Sequence, residues 1–137
     1  MNIEDFRYMR RGKQLSGITQ EELPMLKPIN QRSSGSKRAL LVLHGFSSSP
    51  AVYRYLIPHI KNYDAIVCPA LTGHAESIEA FSHSRASDWL LTATNACAEL
   101  VNEYKKVDVL GLSLGGLLAC ELSKKFNLNH LFLLAPA

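Results

Sequence analysis

The stretch Val107-Asp108-Val109-Leu110-Gly111-Leu112-Ser113-Leu114-Gly115-Gly116 constrains the fold more than any other part of this chain. A short apolar run leads straight into G-x-S-x-G, and an apolar helical pattern leads straight out, from Leu114 to about Phe126. Strand, tight turn and helix in immediate succession display a serine above the C-terminal end of a sheet strand. The glycines have a steric reason. Backbone two residues before and two after the serine comes very close together, so side chains at Gly111 and Gly115 would clash. A residue on such a turn carries backbone strain of about 1–3 kcal/mol. The helix starting at Leu114 points its positive end at the same place, which favours a developing oxyanion. Ser113 is therefore the candidate nucleophile, and the competing reading is a glycine-rich turn with an idle serine.

The rest of the chain sets this turn in an alternating frame. Residues 39–43, 65–68 and 130–134 are short apolar runs like 107–110, the pattern of strands buried on both faces. Between them, Trp89, Leu90, Ala93, Ala96, Cys97, Leu100, Val101 and Tyr104 form the apolar stripe of a helix over 87–104. Ser87 is its expected cap, and Asp88 suits its first turn. Val52, Tyr55, Leu56 and Ile60 predict a further helix over 51–60, kinked or split by Pro58. The order β, α, β, loop, α, β, α, β implies an α/β fold, with four parallel strands and helices on both faces. Residues 1–38 are a polar leading segment, in which 31–38 read as a loop, and the domain proper runs over 39–137.

Composition narrows the function classes. Fifteen Lys and Arg against twelve Asp and Glu give a charge of +3, and the basic pairs are scattered, so no nucleic-acid footprint is expected. Three cysteines, at 68, 97 and 120, sit among apolar residues with no CxxC, as small buried thiols do in a reducing compartment. Met1-Asn2-Ile3-Glu4-Asp5 lacks the apolar core of a secretory signal, and no apolar run approaches a membrane span. The expectation is a soluble, cytoplasmic protein.

A second element is His44-Gly45-Phe46, at the C-terminal end of the first apolar run. Ligands bind at that end of a parallel sheet. Gly45 lets the following amide turn toward a pocket, so the N–H groups of Phe46 and Leu114 are the candidate oxyanion hole. His44 is read as ordering this loop, with general base and plain packing as alternatives. No metal or organic cofactor is called for.

Taken together, the stretch from Leu41 through Phe46, the Pro69-Ala70-Leu71-Thr72-Gly73-His74 segment, Asp88-Trp89 and the segment Gly111 to Gly116 resemble the small bacterial carboxylesterases and monoacylglycerol lipases of the α/β-hydrolase superfamily, which also holds serine aminopeptidase-like hydrolases. The resemblance covers residues 39–137. It implies a Ser113 nucleophile, an oxyanion hole at Phe46 and Leu114, and a small or medium acyl ester as substrate. It departs at Gly73-His74-Ala75, where the family often has Gly-His-Gly; Ala75 is tolerable unless that backbone needs a positive φ. His74 is read as structural. The family's triad acid and histidine lie beyond the last residues, Leu134-Ala135-Pro136-Ala137. Asp108 lies five residues before Ser113, roughly 16 Å away at the wrong end of the strand. His130 begins its own strand at the same far edge, and His83, in the loop region after Gly73, has no acid partner in view. Two readings follow: an ester hydrolase acting through an acyl-enzyme on Ser113, or a truncated remnant or binding module without activity. Residues 1–137 alone are expected to be catalytically incompetent and open to self-association through an uncovered sheet edge.

Overall fold

A computed structural model describes residues 10–11, 14–15, 21 and 23–137. Two short strands, β1 (Arg10–Arg11) and β2 (Gln14–Leu15), pair antiparallel as a separate ladder. The main sheet has five strands: β3 (Ile29–Arg32), β4 (Arg38–Leu43), β5 (Ala65–Cys68), β6 (Lys106–Leu112) and β7 (His130–Leu134), in the order β3-β5-β4-β6-β7. The four apolar runs are the four parallel strands, as their composition implies. Ala39, Leu41, Leu43, Val107 and Val109 point to one face, and Leu40, Val42, Ile66 and Cys68 to the other. Alternation at period two thus lets an unbroken apolar run fill two cores.

The edge strand β3 corrects the sequence reading. It runs antiparallel to β5, with Ile29 opposite Cys68 and Arg32 opposite Ala65, so the sheet is mixed rather than wholly parallel. Residues 31 and 32, read as loop, belong to it. Its outer end is clipped by Arg32, which forms ion pairs with Glu99, at 2.7 Å, and with Glu103. At the opposite edge, Phe132, Leu133 and Leu134 of β7 are exposed, the uncovered apolar edge that the sequence implies.

Two helices, α2 (Ala86–Glu103) and α3 (Leu114–Lys125), cover one face through Ala93, Cys97, Leu100, Leu118, Ala119 and Leu122. The cap of α2 lies two residues before the expected one. The cap position is Arg85, whose backbone N–H donates to the Asp88 carboxylate at 2.9 Å, and Ser87 lies inside the first turn. The other face carries no α-helix over 51–60. Two 3-10 turns, Pro50–Tyr53 and Ile57–His59, cover it instead, burying Tyr53 and Ile57. Pro58 has no N–H to give and its ring would crowd the carbonyl of Arg54, so an α-helix cannot pass through it. A short helix, α1 (Ile78–His83), precedes α2 and is capped by the Ser77 hydroxyl, which accepts from the Ala80 amide at 3.0 Å.

Candidate functional site

Ser113 occupies a single position between β6 and α3, with φ 52° and ψ −117°. That conformation lies outside the regions open to L-residues at low energy and persists only where the surroundings over-determine it. Three neighbours do so. The Ser113 amide donates to the Leu134 carbonyl of β7 at 3.0 Å, and the Ser113 carbonyl accepts from the amides of Gly116 at 2.8 Å and Leu117 at 3.4 Å. The glycines are sterically compelled. A Cβ on Gly111 would strike the Gly115 carbonyl and lie 2.6 Å from the Gly116 nitrogen; one on Gly115 would strike the Leu43 carbonyl and lie 2.9 Å from that of His44.

The loop leaving β4 passes directly beside this turn. A Cβ on Gly45 would lie 3.4 Å from both the Ser113 Cβ and the Leu112 carbonyl oxygen, so the chain at Gly45 runs close beside the serine. Leu43 is paired with Gly111 across the parallel ladder, which sets this adjacency. The amides of Phe46 and Leu114 make no hydrogen bond among the described residues.

His44 is fully buried behind the loop. Its Nε2 accepts from the Leu71 amide at 3.1 Å, and since that amide can only donate, the proton sits on Nδ1, which donates to the Gly45 carbonyl at 3.0 Å. Burial pushes the imidazole down to about 4, against the opposing effect of the Gly45 bond, so it is neutral at pH 7. Both ring nitrogens are occupied. His44 has no lone pair for a serine proton, which removes the general-base alternative. The Gly45 carbonyl and the Phe46 N–H belong to one peptide unit, so fixing the former fixes the direction of the latter.

Asp108 and His83 make their hydrogen bonds with residues other than Ser113. Asp108 is buried toward the opposite end of β6, among Arg38, Tyr63, Asn129 and His130. His83 ends α1 rather than lying in a loop, with Nδ1 bonded to the Glu79 carbonyl of its own helix at 2.8 Å. A cavity of about 530 Å³ lies between Leu23, Leu26, Ala70, His74 and Glu76, and Ser113 does not line it.

Sequence reasoning missed an aromatic quartet beside the loop: Phe46, His74, Phe81 and Trp89. Phe46, His74 and Trp89 each fall in a motif that carries the family resemblance, but the motifs lie far apart in sequence and nothing in them joins the rings. His74 is buried within it, burial holding its pKa below the usual value, and its Nε2 has no partner among the described residues. The next residue, Ala75, takes φ 58°, the left-handed region where glycine is favoured. The condition on which an alanine there would be harmless is not met. Ala75→Gly is expected to raise unfolding stability by about 1 kcal/mol. A urea midpoint equal to or below that of the parent would show that the neighbours relieve the strain already.

A parallel-centred sheet, a glycine-flanked serine in a strained strand-to-helix turn and a glycine loop beside it from the adjacent strand define an α/β protein that displays a serine at the C-terminal end of its central strands. A profile of the Alpha/beta hydrolase family matches residues 40–137. The chain belongs to that family. It is 32% identical over 91 residues to a carboxylesterase of Bacillus subtilis (strain 168), an alignment covering 64% of this chain and 37% of the relative. Among solved structures it resembles one from a study of LipS and LipT, two metagenome-derived lipolytic enzymes. There the TM-score is 0.71 and the identity 30%, over 80% of this chain and 45% of the other. An alpha/beta hydrolase from Novosphingobium aromaticivorans DSM 12444 shares the fold, with TM-score 0.62 and 17% identity over 77% of this chain and 38% of the other. The chain therefore spans less than half the length of these relatives. Among the described residues no helix is long and apolar enough to cross a membrane.

Proposed function

We propose that these residues form the nucleophile-bearing part of a serine carboxylic-ester hydrolase that works through an acyl-enzyme on Ser113. The observation that carries the reading is the Ser113 backbone, φ 52° and ψ −117°, held in contact with Gly45. In this reading the Ser113 Oγ attacks the ester carbonyl carbon. The carbonyl oxygen becomes an oxyanion between the amides of Phe46 and Leu114, the alcohol departs, and water then releases the acid. His44 is a positioning residue that sets the direction of the Phe46 amide. In this reading the proton of Ser113 goes to a base outside these residues, since the nearest loop histidine, His44, is engaged through both nitrogens. The carboxylesterase and lipolytic relatives support a small or medium acyl ester as substrate. Three free cysteines support a reducing, cytoplasmic setting.

The placement of the histidines also favours a second reading for residues 1–137 by themselves, a hydrolase remnant without activity. Labelling with a fluorophosphonate, followed by peptide mass spectrometry, separates the two. Rapid stoichiometric modification at Ser113 of the full-length protein is expected, with the 137-residue chain labelled far more slowly. Modification elsewhere, or none in the full-length protein, would remove Ser113 from the nucleophile role.

A further inference from the structure

We infer that Trp89, on α2, is a positioning residue for the oxyanion-binding amide of Phe46 and acts through the Phe46 ring. The inference rests on the reading of Ser113 as nucleophile, and it concerns what holds the neighbouring loop in place. Ser47, next after Phe46, takes φ 54°, so the loop is strained at its tip and needs an outside clamp. Main-chain contacts supply little of it. His44 sets the tilt of the peptide between Gly45 and Phe46, and a 3.3 Å bond from the Ser48 amide reaches the same Gly45 carbonyl. Both act on one oxygen and leave the lateral position of the Phe46 Cα free.

The Phe46 side chain fixes it. Phe81 and Trp89 stand nearly parallel, with centroids 6.3 Å apart and planes 13° from one another. The Phe46 ring packs against both members of this pair, 5.0 Å from Phe81 and 5.6 Å from Trp89, and His74 packs beside it, 6.3 Å from Phe46 and 4.8 Å and 5.3 Å from the same two rings. These are edge-to-face separations, which are directional as well as attractive. The two walls differ in how firmly they are held. Phe81 rides on the six-residue α1, whereas Trp89 sits on the eighteen-residue α2. The Trp89 indole N–H donates to the Thr72 carbonyl and to the Ser84 hydroxyl, each at 3.1 Å. Trp89 is thus the anchored wall, and the Phe46 ring takes its position from it. Phe46 remains 44% exposed, so its packing against these rings carries what restraint the described residues give it.

The test is a double-mutant cycle on the full-length protein, with hydrolysis of a p-nitrophenyl ester as readout and a thermal melt for each variant. Trp89→Leu is expected to lower kcat by roughly 10- to 100-fold with KM nearly unchanged, as a misplaced transition-state donor does. Phe46→Ala keeps the amide and removes the ring through which Trp89 acts. In that background Trp89→Leu should cost little further. If Trp89→Leu does not fold, Trp89→Phe takes its place in the cycle; it keeps a ring but loses both indole hydrogen bonds. Unchanged kcat in a folded Trp89 variant, or full multiplicative losses in the double variant, would overturn the inference. Ser113→Ala run alongside keeps the two claims apart. If it retains activity, the reading of the site fails; if it is dead while the cycle shows no coupling, only the role of Trp89 fails.

Discussion

Ser113→Ala in the full-length protein is expected to reduce ester hydrolysis on the order of 10⁴-fold or more while leaving the fold intact. In the proposed mechanism the loss is large because the hydroxyl oxygen is the bond-forming atom, and the amides proposed to bind the oxyanion would alone give only residual rate enhancement. Stability should scarcely move. The backbone bonds of Ser113 to Leu134, Gly116 and Leu117 are all main-chain, and none needs the side chain. Ser113→Gly provides the contrast. Glycine adopts φ 52° without the Cβ penalty, so this variant is expected to be equally inactive yet more stable than the parent by about 1–2 kcal/mol. Hydrolysis and thermal melting of both variants decide the matter. Activity surviving in Ser113→Ala would make the elbow decorative, and a Ser113→Gly variant no more stable than the parent would show that the strain is illusory.

Asp108→Ala is expected to destabilise the fold by about 1–3 kcal/mol at pH 7, because the Tyr63 hydroxyl and the Asn129 amide lose their acceptor while Arg38, 34% exposed, can turn to water. Asp108 is 0% exposed in the middle of the sheet. It accepts from Arg38 at 2.8 Å through Nε and 2.6 Å through Nη2, and from the Tyr63 hydroxyl and the Asn129 amide, each at 2.7 Å. His130 Nδ1 lies 3.1 Å away. Burial acts to raise the carboxyl pKa, but the hydrogen bonds from Tyr63, Asn129, Arg38 and His130 together outweigh it and leave the pKa below its ordinary value. A depressed folded-state pKa contributes stability that is present above the unfolded value, near 4, and is lost as pH falls through the folded value. The gap between parent and Asp108→Ala in urea unfolding should therefore be widest near pH 7 and narrow below about pH 4. A gap that stays constant down to pH 2 would show that the lost packing, not the charge, carries the effect.

Local patterns made much of this legible. The run from Val107 to Leu110, the glycines at 111 and 115 and the stripe from Trp89 to Tyr104 are decided by near neighbours in sequence, and each element formed where its pattern stands. Strand β3 was not legible. Asn30, Gln31 and Arg32 are exposed at the sheet edge, so no apolar alternation marks them, and their partners in β5 lie more than thirty residues along the chain. The 3-10 turns at 50–59 were misread because an apolar stripe of helical period also suits tighter turns, and Pro50 and Pro58 selected those. At the site, the serine turn and the His44-Gly45 loop could be read off, whereas the occupied nitrogens of His44 and the packing of Phe46 on Trp89 depend on residues far apart in sequence. The left-handed backbone at Ala75 was equally hidden, since alanine gives no sign of a positive φ.

The pairing of Leu43 with Gly111 has a consequence for how such a protein can change over time. The spacing between the serine and the neighbouring loop is inherited from a main-chain ladder running from Arg38 opposite Lys106 to Leu43 opposite Gly111. No side chain encodes that spacing. Apolar residues along both strands can be exchanged for others of similar volume, and the metric of the site survives. A slip of one residue would instead carry Leu43 out of line with Gly111 and turn every core side chain to the wrong face. The sheet thus separates two kinds of heritable variation. Exchanges of apolar side chains leave the register standing, whereas an insertion or deletion within either strand would shift it, so strand length on either side of the serine is the more demanding constraint.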